Sequence, residues 1–266
     1  MFTKIAVIGT GNIGAWLSQV FKNQNNMSYI SISGRTIDAL TGDCDLYIFA
    51  LKDDVYDVVL QKIPFKMRQA VHTSGALSQN ILSPYAEKFG VLYPYQSIMK
   101  GEGRERGQIP LQFIGGVDAK RAGWFESVPE GQGSLHIEIP ICIEGSDAIF
   151  EDALFQWASA IFTSVYKINE KQRFAMHLAA IFANNFTNAM YSIAYQIFKD
   201  NNVEWSLIFP LLENTLAKAR ADDPHLFQTG PAIRNDVSIM EKHCSALPNE
   251  ELKTLYRLVS KIIQKK

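Results

Sequence analysis

The sequence carries almost no surplus charge: 26 Lys and Arg face 27 Asp and Glu, a net charge of -1. With no basic field and no Lys/Arg run beyond the terminal pair Lys265-Lys266, nucleic acid is not an expected partner. Long apolar runs are missing too. None approaches the roughly 18–20 residues a membrane-crossing helix needs, so no membrane is expected as a partner. Ile5–Ile8 is too short for the apolar segment of a secretory leader and leads straight into Gly9. Cysteine is sparse: Cys44, Cys142 and Cys244 stand far apart, with no Cys-x-x-Cys pair and no metal-ligand spacing. Scattered thiols fit a reducing compartment, and a cytoplasmic location is expected. What remains is an ordinary globular composition, 47% hydrophobic and 20% charged over 266 residues, enough for one large or two modest domains.

The first half alternates strands with helices. Lys4–Ile8, Tyr29–Ile32, Leu46–Leu51, Gln69–His72 and Gly90–Tyr93 read as strands, and Ala15–Phe21 has helical spacing. The unbroken apolar run LYIFAL suits a strand buried on both faces. This alternation predicts an α/β fold with a doubly wound parallel sheet. Gly101 to Gly133 breaks the rhythm, holding eight of the seventeen glycines. An ordered insertion over about 101–138 is expected there, with short alternating pieces at Leu111–Ile114 and Leu135–Ile139. Pro140–Glu144 reads as the last strand. From Ser146 the pattern turns helical. It runs through Ala148–Phe162, a long helix capped by Asn169 and reaching about Asp200, and Glu204–Arg220 bent at Pro210. A helix from about Pro231 to His243 and a final one from Asn249 follow. Two domains are expected, 1–145 and 146–266, the second all-helical.

Between the first strand and its helix lies Gly9-Thr10-Gly11-Asn12-Ile13-Gly14, the spacing of a dinucleotide-binding turn. Gly9 allows the tight turn, Gly11 lets backbone approach a pyrophosphate, and Gly14 lets helix pack on strand. The pyrophosphate would sit on free N–H groups at the positive end of the helix. The bland alternative is a glycine turn with no ligand. Where NAD binders place an acid after the second strand, this chain has Ser33-Gly34-Arg35-Thr36 and no acid until Asp38. A guanidinium and two hydroxyls suit a 2′-phosphate, which favours NADP(H), unless Arg35 is merely a solvated turn residue. The other strand ends offer Leu51-Lys52 beside a cofactor ribose, Ser74-Gly75 beside a nicotinamide or substrate, and Gln96 as a substrate contact. Turn chemistry alone explains any of these equally simply.

GTGNIG, SGRT, LYIFALKDD and HTSG, followed by a helical half, resemble the 6-phosphogluconate-dehydrogenase-like superfamily. That superfamily includes pyrroline-5-carboxylate reductases, ketopantoate reductases and β-hydroxyacid dehydrogenases. More closely, HTSGA, YPYQS, IPICIEGS, RFAMHLAAIFANNF and QTGPAIRND resemble a group of Rossmann-like proteins whose C-terminal helical half is catalogued only as a domain of unknown function. The resemblance spans nearly the whole chain outside roughly 101–138. It implies an NADP-type Rossmann domain, a helical second domain that forms a homodimer, and an active site between the two. One departure matters. The β-hydroxyacid dehydrogenases carry a lysine and, four residues on, an asparagine on the long helix, whereas this helix reads Arg173-Phe-Ala-Met-His177.

On that helix Arg173 and His177 are four residues apart and share a face, with Asn184 and Asn188 near it. Among apolar neighbours they read either as satisfied polar contacts or as a stripe facing a substrate. In the second reading His177 is the general acid/base, with Ser74 and Asn184 beside it in the catalytic set and Arg173 and Asn188 as substrate contacts. In Gln228–Asp236, Thr229 is a candidate N-cap with Pro231 in the first turn, and Arg234 one turn in. That would bind a substrate anion or simply be a well-capped helix with an internal ion pair. No metal ligands are visible. The expected function is hydride transfer between NADP(H) and a small anionic C=O or C=N substrate. The rival is a non-catalytic NADP(H)-binding sensor or scaffold.

Overall fold

The computed structural model describes residues 2–98 and 139–265, so the expected insertion and its two short pieces lie outside the described residues apart from Ile139. The fold is α/β and Rossmann-like. Among the described residues seven strands form one sheet: β1 (Lys4–Ile8), β2 (Ser28–Ile32), β3 (Leu46–Phe49), β4 (Met67–His72), β5 (Ala86–Pro94), β6 (Ile141–Gly145) and β7 (Val165–Lys167). Their spatial order is β2-β1-β3-β4-β5-β6-β7. Strands β1 to β5 are mutually parallel, β6 is antiparallel to β5, and β7 is parallel to β6. The expected parallel sheet therefore gains a reversed edge. Nor does the sheet end at β6, because β7 extends it inside the stretch expected to be helical.

Alternation along the strands fills two cores. Ile5, Val7, Leu46, Ile48 and Val71 face one side with Leu17 and Phe21 of helix α1 (Asn12–Lys22) and Leu154 and Trp157 of α3 (Ala148–Ser159). Ala6, Ile8, Tyr47, Phe49 and Ala70 face the other, with Tyr56 and Leu60 of α2 (Tyr56–Leu60). Covered on both faces, the central strands need apolar residues at nearly every position, which is why they read as continuous runs. Each fully buried large side chain contributes about 1.5–3 kcal/mol. Asp147 starts α3, its carboxylate accepting from the N–H groups of Ile149 and Phe150.

The long helix begins as expected at Asn169, with a capping box to Gln172. It is not uniform. Helix α4 (Glu170–Ala180) opens into a π-helical segment at Ile181–Phe186 before α5 (Thr187–Asp200) resumes the α spacing. The chain divides into two compact units, 1–194 and 195–266.

The second unit holds α6 (Phe209–Ala221), α7 (Val237–Ala246) and α8 (Glu250–Gln264). Pro210 does not bend a helix: it occupies the first turn of α6, where its missing N–H costs nothing, and a separate 3-10 turn precedes it. The helix expected from Pro231 begins at Val237 instead. Gly230 and Asn235 adopt positive φ angles of 105° and 53°, which break the helix, and Asp236 caps it by accepting from the N–H of Ile239. The final helix starts after Asn249, as its capping pattern predicts. No helix among the described residues is long and apolar enough to cross a membrane. All three cysteines are free and buried.

Candidate functional site

Strand order reverses between β1 and β3, since the chain steps from β1 to one side for β2 and to the other for β3. Parallel sheets bind ligands beyond the carboxyl ends of the strands at such a switch point. Two of the glycines in the loop there are sterically compelled and one is not. A Cβ on Gly9 would stand 2.0 Å from the carbonyl oxygen of Ala50, and Gly9 has a φ of 118°. A Cβ on Gly14 would stand 1.8 Å from the carbonyl oxygen of Gly9. At Gly11 a Cβ would meet nothing within 4 Å. Packing therefore explains Gly9 and Gly14, whereas Gly11 borders open space that a side chain would occupy. Gly11 is also the N-cap of α1, and no side chain caps the first turn or places an acid there. Its free N–H groups and positive dipole end meet that space, with Thr10, Gly11 and Asn12 exposed and Ile13 packed toward the core. The cradle fits a pyrophosphate.

At the end of β2 the Ser33 hydroxyl accepts from the N–H of Arg35, and the Thr36 hydroxyl donates to the Ser33 carbonyl. These bonds shape a tight turn that leaves Arg35 and Thr36 exposed. No carboxylate pairs with Arg35 among the described residues. Gly34 packs beneath this turn, its Cβ position 3.2 Å from Leu51 and 3.4 Å from Val59. After β3, Leu51 is half-buried and Lys52 exposed.

The loop after β4 has a different character, for nearly all its polar groups are committed. The Ser74 N–H donates to His72 Nδ1 at 3.2 Å, and the Ser74 hydroxyl accepts from the N–H groups of Ala76 and Leu77. Arg173 Nη1 donates to the carbonyls of Ser74, Gly75 and Leu77, at 3.2, 3.2 and 2.8 Å. Its Nη2 pairs with Glu144 at 3.2 Å, and Glu144 also accepts from the N–H of Glu170. Arg173 is 0% exposed, so its guanidinium staples α4 to this loop and does not face a ligand. Strand register assembles the group: Phe49 pairs with His72, His72 with Val91, and Val91 with Glu144 in one row across the sheet. Burial, with Arg173 nearby, pushes the His72 imidazole down to about 3, which keeps it neutral.

One turn beyond Arg173, His177 meets the same loop. Its Nδ1 lies 3.2 Å from the Tyr93 hydroxyl, with the rings edge-on at 6.1 Å. A Cβ on Gly75 would stand 2.6 Å from His177 Nδ1 and 2.9 Å from Tyr93 Cζ. Only glycine admits the imidazole so close to the loop. Burial pushes the Tyr93 phenol up to about 12. Tyr95, edge-on to Tyr93, donates its hydroxyl to the Met176 carbonyl and so ties β5 to α4.

The structure thus joins Ser74, Gly75, Arg173 and His177. Gln96 is exposed, its side chain accepting from the N–H of Ser97. Asn184 and Asn188 are exposed rather than buried among apolar neighbours, Asn184 donating to Asn185. The π-helical segment breaks the 3.6-residue period that would have aligned them with His177. Thr229 and Arg234 are exposed in the second unit, and Thr229 is not the cap of α7. Sequence reasoning missed the Tyr93 hydroxyl and the Glu144 carboxylate as partners. Glu144 carried a signal, being an acid that directly follows the apolar run of β6, where a buried charge needs a counter-ion. Among the described residues no cluster could hold a metal ion.

Residues 139–263 match the family model of the domain of unknown function DUF2520. The matched segment begins just before β6 and includes Glu144, Arg173 and His177. A protein of Bacteroides fragilis, provisionally described as an NADP oxidoreductase, is 26% identical. That likeness covers 100% of this chain and 99% of the other, at a TM-score of 0.77. A Thermotoga maritima protein shares the fold at 18% identity and a TM-score of 0.61, over 98% of this chain and 97% of its own. Pyrroline-5-carboxylate reductase from Streptococcus pyogenes shares it at 13% identity and 0.54, over 99% and 98%. No curated protein matches the chain in sequence.

Proposed function

We infer that the chain is an NADP(H)-dependent oxidoreductase acting on a small anionic substrate with a C=O or C=N bond. The observation that carries this reading is the open space at Gly11, flanked by two glycines that packing compels. Its likeness to the Bacteroides fragilis protein supports the same cofactor. Gly9 to Gly14 would hold the pyrophosphate on the free N–H groups of α1. Ser33, Arg35 and Thr36 would hold the 2′-phosphate, with Leu51 and Lys52 along the ribose. The cofactor, when bound, supplies or accepts the hydride. His177 holds the proton that complements it, because an imidazole can both give and take a proton and this ring is fixed against Gly75. Arg173 and Glu144 set the height of the Ser74-Gly75 loop from behind.

Exposed apolar side chains on the helices support a homodimer through the helical half: Phe182 is 62% exposed, Ile262 61% and Leu258 56%. The rival reading is an NADP(H) sensor without turnover. It draws on the lack of a Lys-x-x-x-Asn pair on the long helix and on the commitment of Arg173 to structure. Calorimetric titration with NADPH and then NADH at one salt concentration tests the cofactor. NADPH should bind much more tightly than NADH, and Arg35→Ala should weaken NADPH by about 10- to 100-fold while leaving NADH unchanged. Equal binding of both would overturn the choice of cofactor, and binding of neither would overturn the reading. With keto acids and imines as probes, His177→Ala should lower turnover by about 100-fold or more.

A further inference from the structure

We propose that Tyr93 is a positioning residue that holds His177 with its ring proton on Nε2, so that Nε2 is the atom that gives up the proton. The inference rests on the reading of His177 as the proton donor. A phenol and a neutral imidazole 3.2 Å apart can share a hydrogen bond in either direction, and the surroundings decide which. Tyr93 is 8% exposed, and among the described residues its hydroxyl has no acceptor except His177 Nδ1. Were Nδ1 the donor, the phenol proton would have no protein acceptor among the described residues, at the cost of a lost hydrogen bond. With the phenol donating, every proton is placed: Tyr93 gives to Nδ1, and the imidazole carries its hydrogen on Nε2. The phenol keeps that proton at neutral pH, because burial disfavours the phenolate.

The ring is held from three sides besides. Arg173 binds α4 to the carbonyls of the loop, Tyr95 binds β5 to Met176, and the loop fits the imidazole only through the missing side chain of Gly75. Nδ1 therefore lies against Tyr93 and the loop, committed to protein, and Nε2 is the nitrogen left for a substrate. The division of labour is set by the hydrogen bond the other nitrogen makes.

The experiment is a two-bond proton–nitrogen correlation spectrum of the full chain, uniformly labelled with nitrogen-15, at a pH where the imidazole is neutral. His177 is one of five histidines, and its signals are assigned by their loss in His177→Asn. The expected result is an Nε2-protonated ring in the natural chain and a mixture of tautomers in Tyr93→Phe. A ring protonated on Nδ1 in the natural chain, or signals unmoved by Tyr93→Phe, would overturn the proposal. The first arm needs no variant, so a Tyr93→Phe chain that failed to fold would not shelter it. On a turned-over substrate, Tyr93→Phe should lower kcat about two- to tenfold, the reach of one hydrogen bond, with KM unchanged. A spectrum as expected with no turnover on any probe would overturn the reaction while leaving the proton's position established.

Discussion

The loops that end β1 and β4 are built on opposite plans. After β1, residues 9 to 14 leave the N–H groups of the first helical turn uncapped and border open space at Gly11. After β4, residues 74 to 77 have three carbonyls taken by one buried guanidinium and two N–H groups taken by the Ser74 hydroxyl. The first is arranged to receive a ligand, the second to keep a shape so that an imidazole can rest on it. Glycine serves both, for different reasons: at Gly11 its smallness leaves the backbone open to close approach, and at Gly75 it admits a side chain already there.

The contrast predicts where substitutions hurt. Arg173→Met should be the most damaging. It leaves Glu144 buried without its counter-ion and three carbonyls without a donor, and chemical denaturation should show a loss of about 3–5 kcal/mol. A loss under about 1 kcal/mol would mean the second loop holds itself. The next effect is a pH dependence. His72 is held neutral in the folded chain by a pKa depressed to about 3, whereas the unfolded imidazole titrates near 6.5. Below 6.5 the unfolded state binds the extra proton, so stability falls as pH falls through that window. Between pH 7 and 5 the natural chain should lose about 2 kcal/mol more than His72→Gln. Parallel denaturation curves at the two pH values would refute this. The smallest change in stability belongs to the receiving loop. Gly11→Ala should alter unfolding by within about 0.5 kcal/mol, since its Cβ enters open space, yet weaken NADPH in calorimetry by about tenfold. A variant that binds normally would remove the reason for calling that space a cradle.

Legibility in the sequence followed the same division. The glycine turn could be read because Gly9 and Gly14 answer to separate steric demands at a fixed spacing. The central strands could be read because burial on both faces forces unbroken apolar runs. The staple could not, because its acceptors are backbone carbonyls and any sequence supplies those. The direction of β6 was equally hidden, since PICIE reads alike in a parallel or antiparallel ladder. Strand β7, three residues with two of them exposed, had no pattern to detect. Thr229 and Pro231 form a sound helix-start signal, yet the positive φ at Asn235 and a better cap at Asp236 displaced it. The π-helical segment is a break of period within a helix whose residues are ordinary. Tyr93 and His177 are 84 positions apart, and only the fold brings them together.

The reversal at β6 has an architectural consequence. Because β6 runs back along β5, with the Tyr95 N–H donating to the Pro140 carbonyl at 2.8 Å, the chain leaves the sheet and re-enters it at almost one point. The sheet therefore has a splice site there. Forty residues, 99 to 138, separate the described segments, and a four-residue hairpin in their place would leave every ladder bond between described residues intact. Descendants of this fold are free to vary the length of the connection there without changing the register of β5 on β6.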